Sequence, residues 1–112
     1  MDTISYQDFE KIELRVGKVI AADPFPEARK PAYKLTIDFG PEIGTRKSSA
    51  QLVDLYRPED LMGKQIAAVV KFSPRQIGPF MSEVLTLGFP DENGKVVLIG
   101  AGRKVPDGGR LF

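Results

Sequence analysis

The sequence predicts an all-β barrel, and three observations carry that expectation. Two segments alternate apolar and polar residues with the two-residue period of a half-buried strand: Tyr33, Leu35, Ile37 and Phe39 in one, Ile66, Ala68, Val70 and Phe72 in the other. A third segment, LRVGKVIAA at 14–22, alternates until Gly17, where the pattern slips. A glycine inside a strand marks a bulge or a sharp bend, the device that coils a sheet into a small barrel. One helix signal, RPEDLMG at 57–63, falls between the third and fourth strand segments.

The elements follow in order. Ser5 with Asp8 three residues later, just before Phe9 and Ile12, predicts a capped short helix. The bent strand 14–22 comes next, then the loop FPEARKP, with prolines at 24, 26 and 31. Strand two runs from Tyr33 to Phe39 and ends at Gly40-Pro41. Strand three is KSSAQL, residues 47–52. In the helix that follows, Pro58 suits the first turn, Glu59 and Asp60 favour the positive end of the helix dipole, and Gly63 supplies the C-cap. Strand four is QIAAVVKF and strand five SEVLTLGF, with FSPRQIGPF (72–80) a loop between them. Asn93-Gly94, the strongest hairpin signal in the chain, joins SEVLTLGF to KVVLIG. Five short strands with a helix between the third and fourth match a partly open Greek-key barrel, the OB-fold, here with N- and C-terminal extensions. An SH3-like barrel is the competing architecture, and the helix placement favours the former. All of 1–112 is expected to form a single domain.

Composition narrows the chemistry. The chain has no cysteine and no histidine, so it lacks the thiol nucleophile, the thiolate ligand and the commonest general base. Its fifteen carboxylates form no recognisable acid/base or metal spacing. No catalytic residues, metal site or cofactor are therefore expected. No apolar run reaches the length of a membrane span, and the acidic start MDTISYQDFEK is unlike a signal peptide, so a cytoplasmic protein is expected. Sixteen Lys and Arg against fifteen Asp and Glu give +1, without the excess usual in a phosphate-binding protein.

KSSAQL is unusual for a strand because neither of its faces is bulky. Its small side chains predict a depression on the ligand-binding face of the barrel, with Lys47, Ser49 and Gln51 offering donors there. The competing reading is an edge strand kept polar against aggregation. The candidate wall is FSPRQIGPF, through Phe72, Pro74 and Phe80, with Ser82 as a hydrogen-bonding group and Arg75 and Lys47 as anchors for carboxylates. Phe72 and Ile77 are equally candidates for the core. Arg29, Lys30, Lys34, Lys47 and Arg75 form an alternative set that would meet RNA phosphates, with Phe25 interleaved as in single-strand binders. Arg103 and Lys104 read as solvated surface. Ile4, Phe9 and Ile12 with Val105, Leu111 and Phe112 place apolar groups outside the five strands, which predicts a homodimer.

LRVGKVI, FPEARKPAYKLTIDFG, KSSAQ and FSPRQIGPFMSEVLTLG together resemble the CsaA secretion-chaperone family of EMAP-type tRNA-binding domains, from about Tyr6 to Phe112. The resemblance implies an OB-fold, a homodimer built with the terminal extensions, and no catalysis. It further implies unfolded or precursor polypeptides as partners, with the SecA export motor and tRNA as further candidates. Synthetase-appended relatives tend to carry Gly-Met where this chain has Val84-Leu85, Asn where it has Phe72, and lysine-rich loops where it has FPEARKP. Those departures suit an apolar peptide pocket better than strong tRNA binding.

Overall fold

A computed structural model describes residues 1–112. In chain order the elements are α1 (Tyr6–Glu10), β1 (Leu14–Pro24), β2 (Tyr33–Asp38), α2 (Gly40–Ile43), β3 (Thr45–Ala50), α3 (Pro58–Leu61), β4 (Gln65–Val69), β5 (Arg75–Ile77), β6 (Phe80–Ser82), β7 (Leu85–Thr86), β8 (Gly88–Pro90) and β9 (Val96–Leu98). The main sheet is antiparallel, in the order β3-β2-β1-β4-β7. Strands one to three form a meander and β4 returns beside β1, which is the Greek-key arrangement.

Alternation places most of the core where the sequence predicts it, except that Phe72 lies beyond the end of β4 and is exposed. Leu35, Ile37 and Phe39 are buried from β2 and its end, Ile66 and Ala68 from β4, and Val19 from β1. Leu61 of α3 is fully buried and belongs to the same cluster, so the helix contributes to the core between β3 and β4. Asp60 secures this helix by accepting the Arg57 N–H at 2.9 Å. That bond, ahead of the Arg57 guanidinium, holds the Asp60 carboxyl below the usual carboxylate range. Both Ser5 and Asp8 cap α1 reciprocally, as their spacing implies.

The barrel closes without a continuous fifth strand. SEVLTLGF is expected as one strand, but it breaks into the end of β6, then β7 and β8. Closure falls to single contacts along β3. Glu83 N–H donates to the Lys47 carbonyl at 2.7 Å, and the Glu83 carboxylate accepts the Lys47 N–H at 2.9 Å. Ser82 Oγ accepts the Ser49 N–H at 3.0 Å. Inside, the buried Ser48 hydroxyl reaches the Val84 carbonyl at 3.1 Å and Thr86 Oγ1 at 2.8 Å. Side chains therefore cap an edge that would otherwise stand open.

Two further expectations are corrected. FSPRQIGPF is not a loop: Arg75–Ile77 and Phe80–Ser82 pair as a hairpin turning at Gly78-Pro79, with Gly78 at φ 57. The register shift in β1 falls between Val19 and Ala21, not at Gly17, which pairs regularly with Ile66. Gly17 is glycine because Ile37 and Phe39 pack onto its backbone. Residues 108–111 lie along the first part of β1, where Val16 N–H donates to Gly109 O and Leu111 N–H to Leu14 O.

Candidate functional site

Strand β3 sorts its side chains by parity. Ser48, Ala50 and Leu52 face the core and are buried, whereas Lys47 and Gln51 are exposed and Ser49 is half-buried. The outward set meets two other segments across a cleft of about 450 Å³. The β1–β2 loop contributes Ala28, Arg29 and Lys30, and β5 contributes Arg75 and Ile77. Ser49 and Gln51 line the third side. Loop, strand and hairpin, distant in sequence, thus bring together five of the predicted residues: Arg29, Lys30, Ser49, Gln51 and Arg75.

The remaining predicted residues sit around this cleft rather than in it. Phe72 and Pro74 are exposed ahead of the hairpin and do not line it. Phe80 packs its ring edge-on against Phe25, centroids 5.3 Å apart, so it supports the loop that carries Arg29. Ser82 spends its hydroxyl on the β3 backbone, and Lys47 is anchored through its own backbone to Glu83. Lys34 lies with Nζ 5.6 Å from the Phe25 ring centre, a cation–π contact. Phe25 itself is buried, so it offers no free face on which a base could stack.

The cations that line the cleft, Arg29, Lys30 and Arg75, are not held in ion pairs. The six ion pairs in the structure engage Lys11, Arg15, Lys18, Arg57, Lys95 and Arg110. None engages Arg29, Lys30, Lys34, Lys47 or Arg75. A net charge of +1 does not disclose which cations are paired and which are free. No group of three or more carboxylate, histidine or cysteine side chains is placed to hold a metal ion. No helix is long and apolar enough to cross a membrane.

Two grooves escape a reading of sequence. One, of about 470 Å³, is walled by apolar side chains including Leu14, Val16, Leu87, Ile99, Val105 and Leu111. The terminal apolar residues foreshadow it, but Leu87 and Ile99 do not. The other runs beside residues 100–104, which include the Arg103 and Lys104 read as plain surface.

The sequence matches the tRNA binding domain family (tRNA_bind) over residues 14–110. The chaperone CsaA of Bacillus anthracis str. Ames is 46% identical with a TM-score of 0.91, over 99% of this chain and 100% of that one. The CsaA chaperone protein of Picrophilus torridus is 45% identical with a TM-score of 0.90, over 98% and 100% respectively. Methionine--tRNA ligase of Methanocaldococcus jannaschii is 32% identical over 111 residues, which are 99% of this chain and 17% of the ligase. The chain thus spans about a sixth of the length of that ligase. With the match reaching from Leu14 to Arg110 and the barrel shared along its whole length, the chain belongs to the tRNA binding domain family, in its CsaA-type form.

Proposed function

We propose that the protein is a non-catalytic binding module that holds extended segments of unfolded or precursor polypeptides in the β3–β5 cleft. The observation that carries this reading is the mixed lining. Ser49 and Gln51 can hydrogen-bond to any peptide backbone, Ile77 with Ala28 and Ala32 offers modest apolar contact, and Arg29, Lys30 and Arg75 attract carboxylates. Such a lining discriminates little among side chains, which is what a chaperone needs. In this reading the protein works in the cytoplasm as a homodimer, keeping precursors competent for the SecA export motor.

One observation favours a second reading, a tRNA-binding module. None of the five candidate phosphate contacts, Arg29, Lys30, Lys34, Lys47 and Arg75, takes part in an ion pair. Salt dependence separates the two. Four or five phosphate contacts should cut affinity for tRNA more than about tenfold between roughly 50 and 200 mM salt. Affinity for a labelled unfolded polypeptide is expected to change far less over the same range. Tight tRNA binding with that steep slope, and no measurable polypeptide binding, would transfer the function to the second reading.

The homodimer is expected to use the apolar groove. Leu111 and Phe112 are exposed and line it together with Val105 and Ile99. Deleting 106–112 would also remove the backbone bonds to β1, so substitution is the cleaner test. Leu111→Asp with Phe112→Asp is expected to give a monomer at low micromolar concentration by sedimentation. A dimer that persists would place the interface elsewhere.

A further inference from the structure

The groove beside residues 100–104 has the chemistry of an anion site. It measures about 660 Å³, within the range of small-ligand sites, which run to about 1,000 Å³. One wall is Lys18, Lys64 and Gln65; the other is the segment Gly100–Lys104. The amides of Gly100, Ala101, Gly102, Arg103 and Lys104 donate to no backbone carbonyl, and all five residues are exposed.

The loop that carries these amides is held at both ends by one residue. Gln65 Nε2 donates to Val105 O at 2.6 Å, and Gln65 Oε1 accepts the Val105 N–H at 3.1 Å. At the other end Gly100 packs so closely on the Gln65 carbonyl that no side chain fits. Beyond it, Ile99 accepts the Ala67 N–H at 2.8 Å. Donors fixed before a ligand arrives cost little ordering on binding.

Charge points the same way. Lys64, Arg103 and Lys104 take part in no ion pair. Lys18 is 3.8 Å from Asp107, whose other oxygen accepts from Gln65 at 2.8 Å. Asp60 feels the Lys64 charge without forming an ion pair with it. The groove is therefore lined by ammonium and guanidinium groups, three of them free of any ion pair, beside backbone amides that have no backbone partner. An anion with three or four acceptor oxygens uses such a set more fully than a carboxylate with two.

We propose that this groove binds phosphate esters, as a second site separate from the β3–β5 cleft and independent of what that cleft holds. A free nucleotide and the backbone of an RNA strand share this chemistry. The test is calorimetric titration at low salt with inorganic pyrophosphate, a nucleoside triphosphate and tRNA in turn. The variant Lys64→Ala with Arg103→Ala and Lys104→Ala alters only exposed side chains. It is expected to weaken phosphate binding about tenfold or more, leaving the urea midpoint and unfolded-polypeptide binding unchanged. Arg29→Ala with Arg75→Ala is expected to leave pyrophosphate binding intact. Binding of pyrophosphate and nucleotide identifies the free ligand. Binding of tRNA alone, with a salt slope reduced by about two to three in the triple variant, identifies the polynucleotide. No binding of any probe, or binding that the triple variant leaves unaltered, overturns the proposal.

Discussion

Valine in place of Gly17 is expected to destabilise the barrel by about 3 kcal/mol, the upper end of what overpacking costs. A Cβ built at Gly17 would stand 2.6 Å from Ile37 Cγ2 and 2.7 Å from Phe39 Cδ1. Both neighbours are buried and packed on all sides, so neither can withdraw. The γ-methyls of valine would press further into the same ring. Against a total stability of roughly 5–15 kcal/mol, such a loss is large. A urea midpoint lowered by about 1 M or more is the expected result. A midpoint that did not move would mean the interior can yield at Ile37 and Phe39.

Leucine at two adjacent serines is expected to give opposite results. Ser48 is fully buried and its hydroxyl joins the Val84 carbonyl to Thr86 across the barrel closure. Ser48→Leu overfills the core at a cost of about 1–3 kcal/mol, and stranding the buried Val84 carbonyl adds about 1–3 kcal/mol. Ser49 faces the cleft, and its bond to Ser82 runs through its backbone N–H, which substitution leaves intact. Ser49→Leu should therefore move stability by no more than about 0.5 kcal/mol. It should fill the cleft and reduce polypeptide binding about tenfold or more. Urea melts and binding of a labelled unfolded polypeptide, measured on both variants, check the pair. Undiminished binding by Ser49→Leu would make β3 only a guarded edge.

These serines also mark what the sequence discloses. The period-two patterns of β2 and β4 carry large apolar residues, so their burial can be read directly. KSSAQL offers small groups on both faces, and its parity becomes visible only when Ser48 finds Val84 and Thr86. The helix α3 was legible because proline, two acids and glycine stand in a fixed local order. The β5–β6 hairpin was not, because two prolines in nine residues resemble a loop and its pairing is only three residues long. The cleft residues Arg29, Lys30, Ser49, Gln51 and Arg75 could be proposed from their barrel positions. Phe72 and Pro74 were proposed as apolar wall within FSPRQIGPF, yet of that stretch only Arg75 and Ile77, on β5, line the cleft. The groove at 100–104 depends on Gln65 clasping Val105 across 40 positions, a contact that no local pattern encodes.

The strip of backbone bonds between residues 108–111 and the start of β1 also orders events during folding. Arg15 donates to the Gly108 carbonyl from 93 positions away, and the neighbouring amides of Val16, Gly108 and Leu111 close the same span. Contacts of such separation are slow to form because a long loop must be closed before they stabilise anything. On a ribosome, β1 would be made early and would wait, with part of its edge unpaired, until synthesis had passed Leu111. Throughout that interval the nascent chain displays an open strand edge, the surface on which other unfinished chains pair.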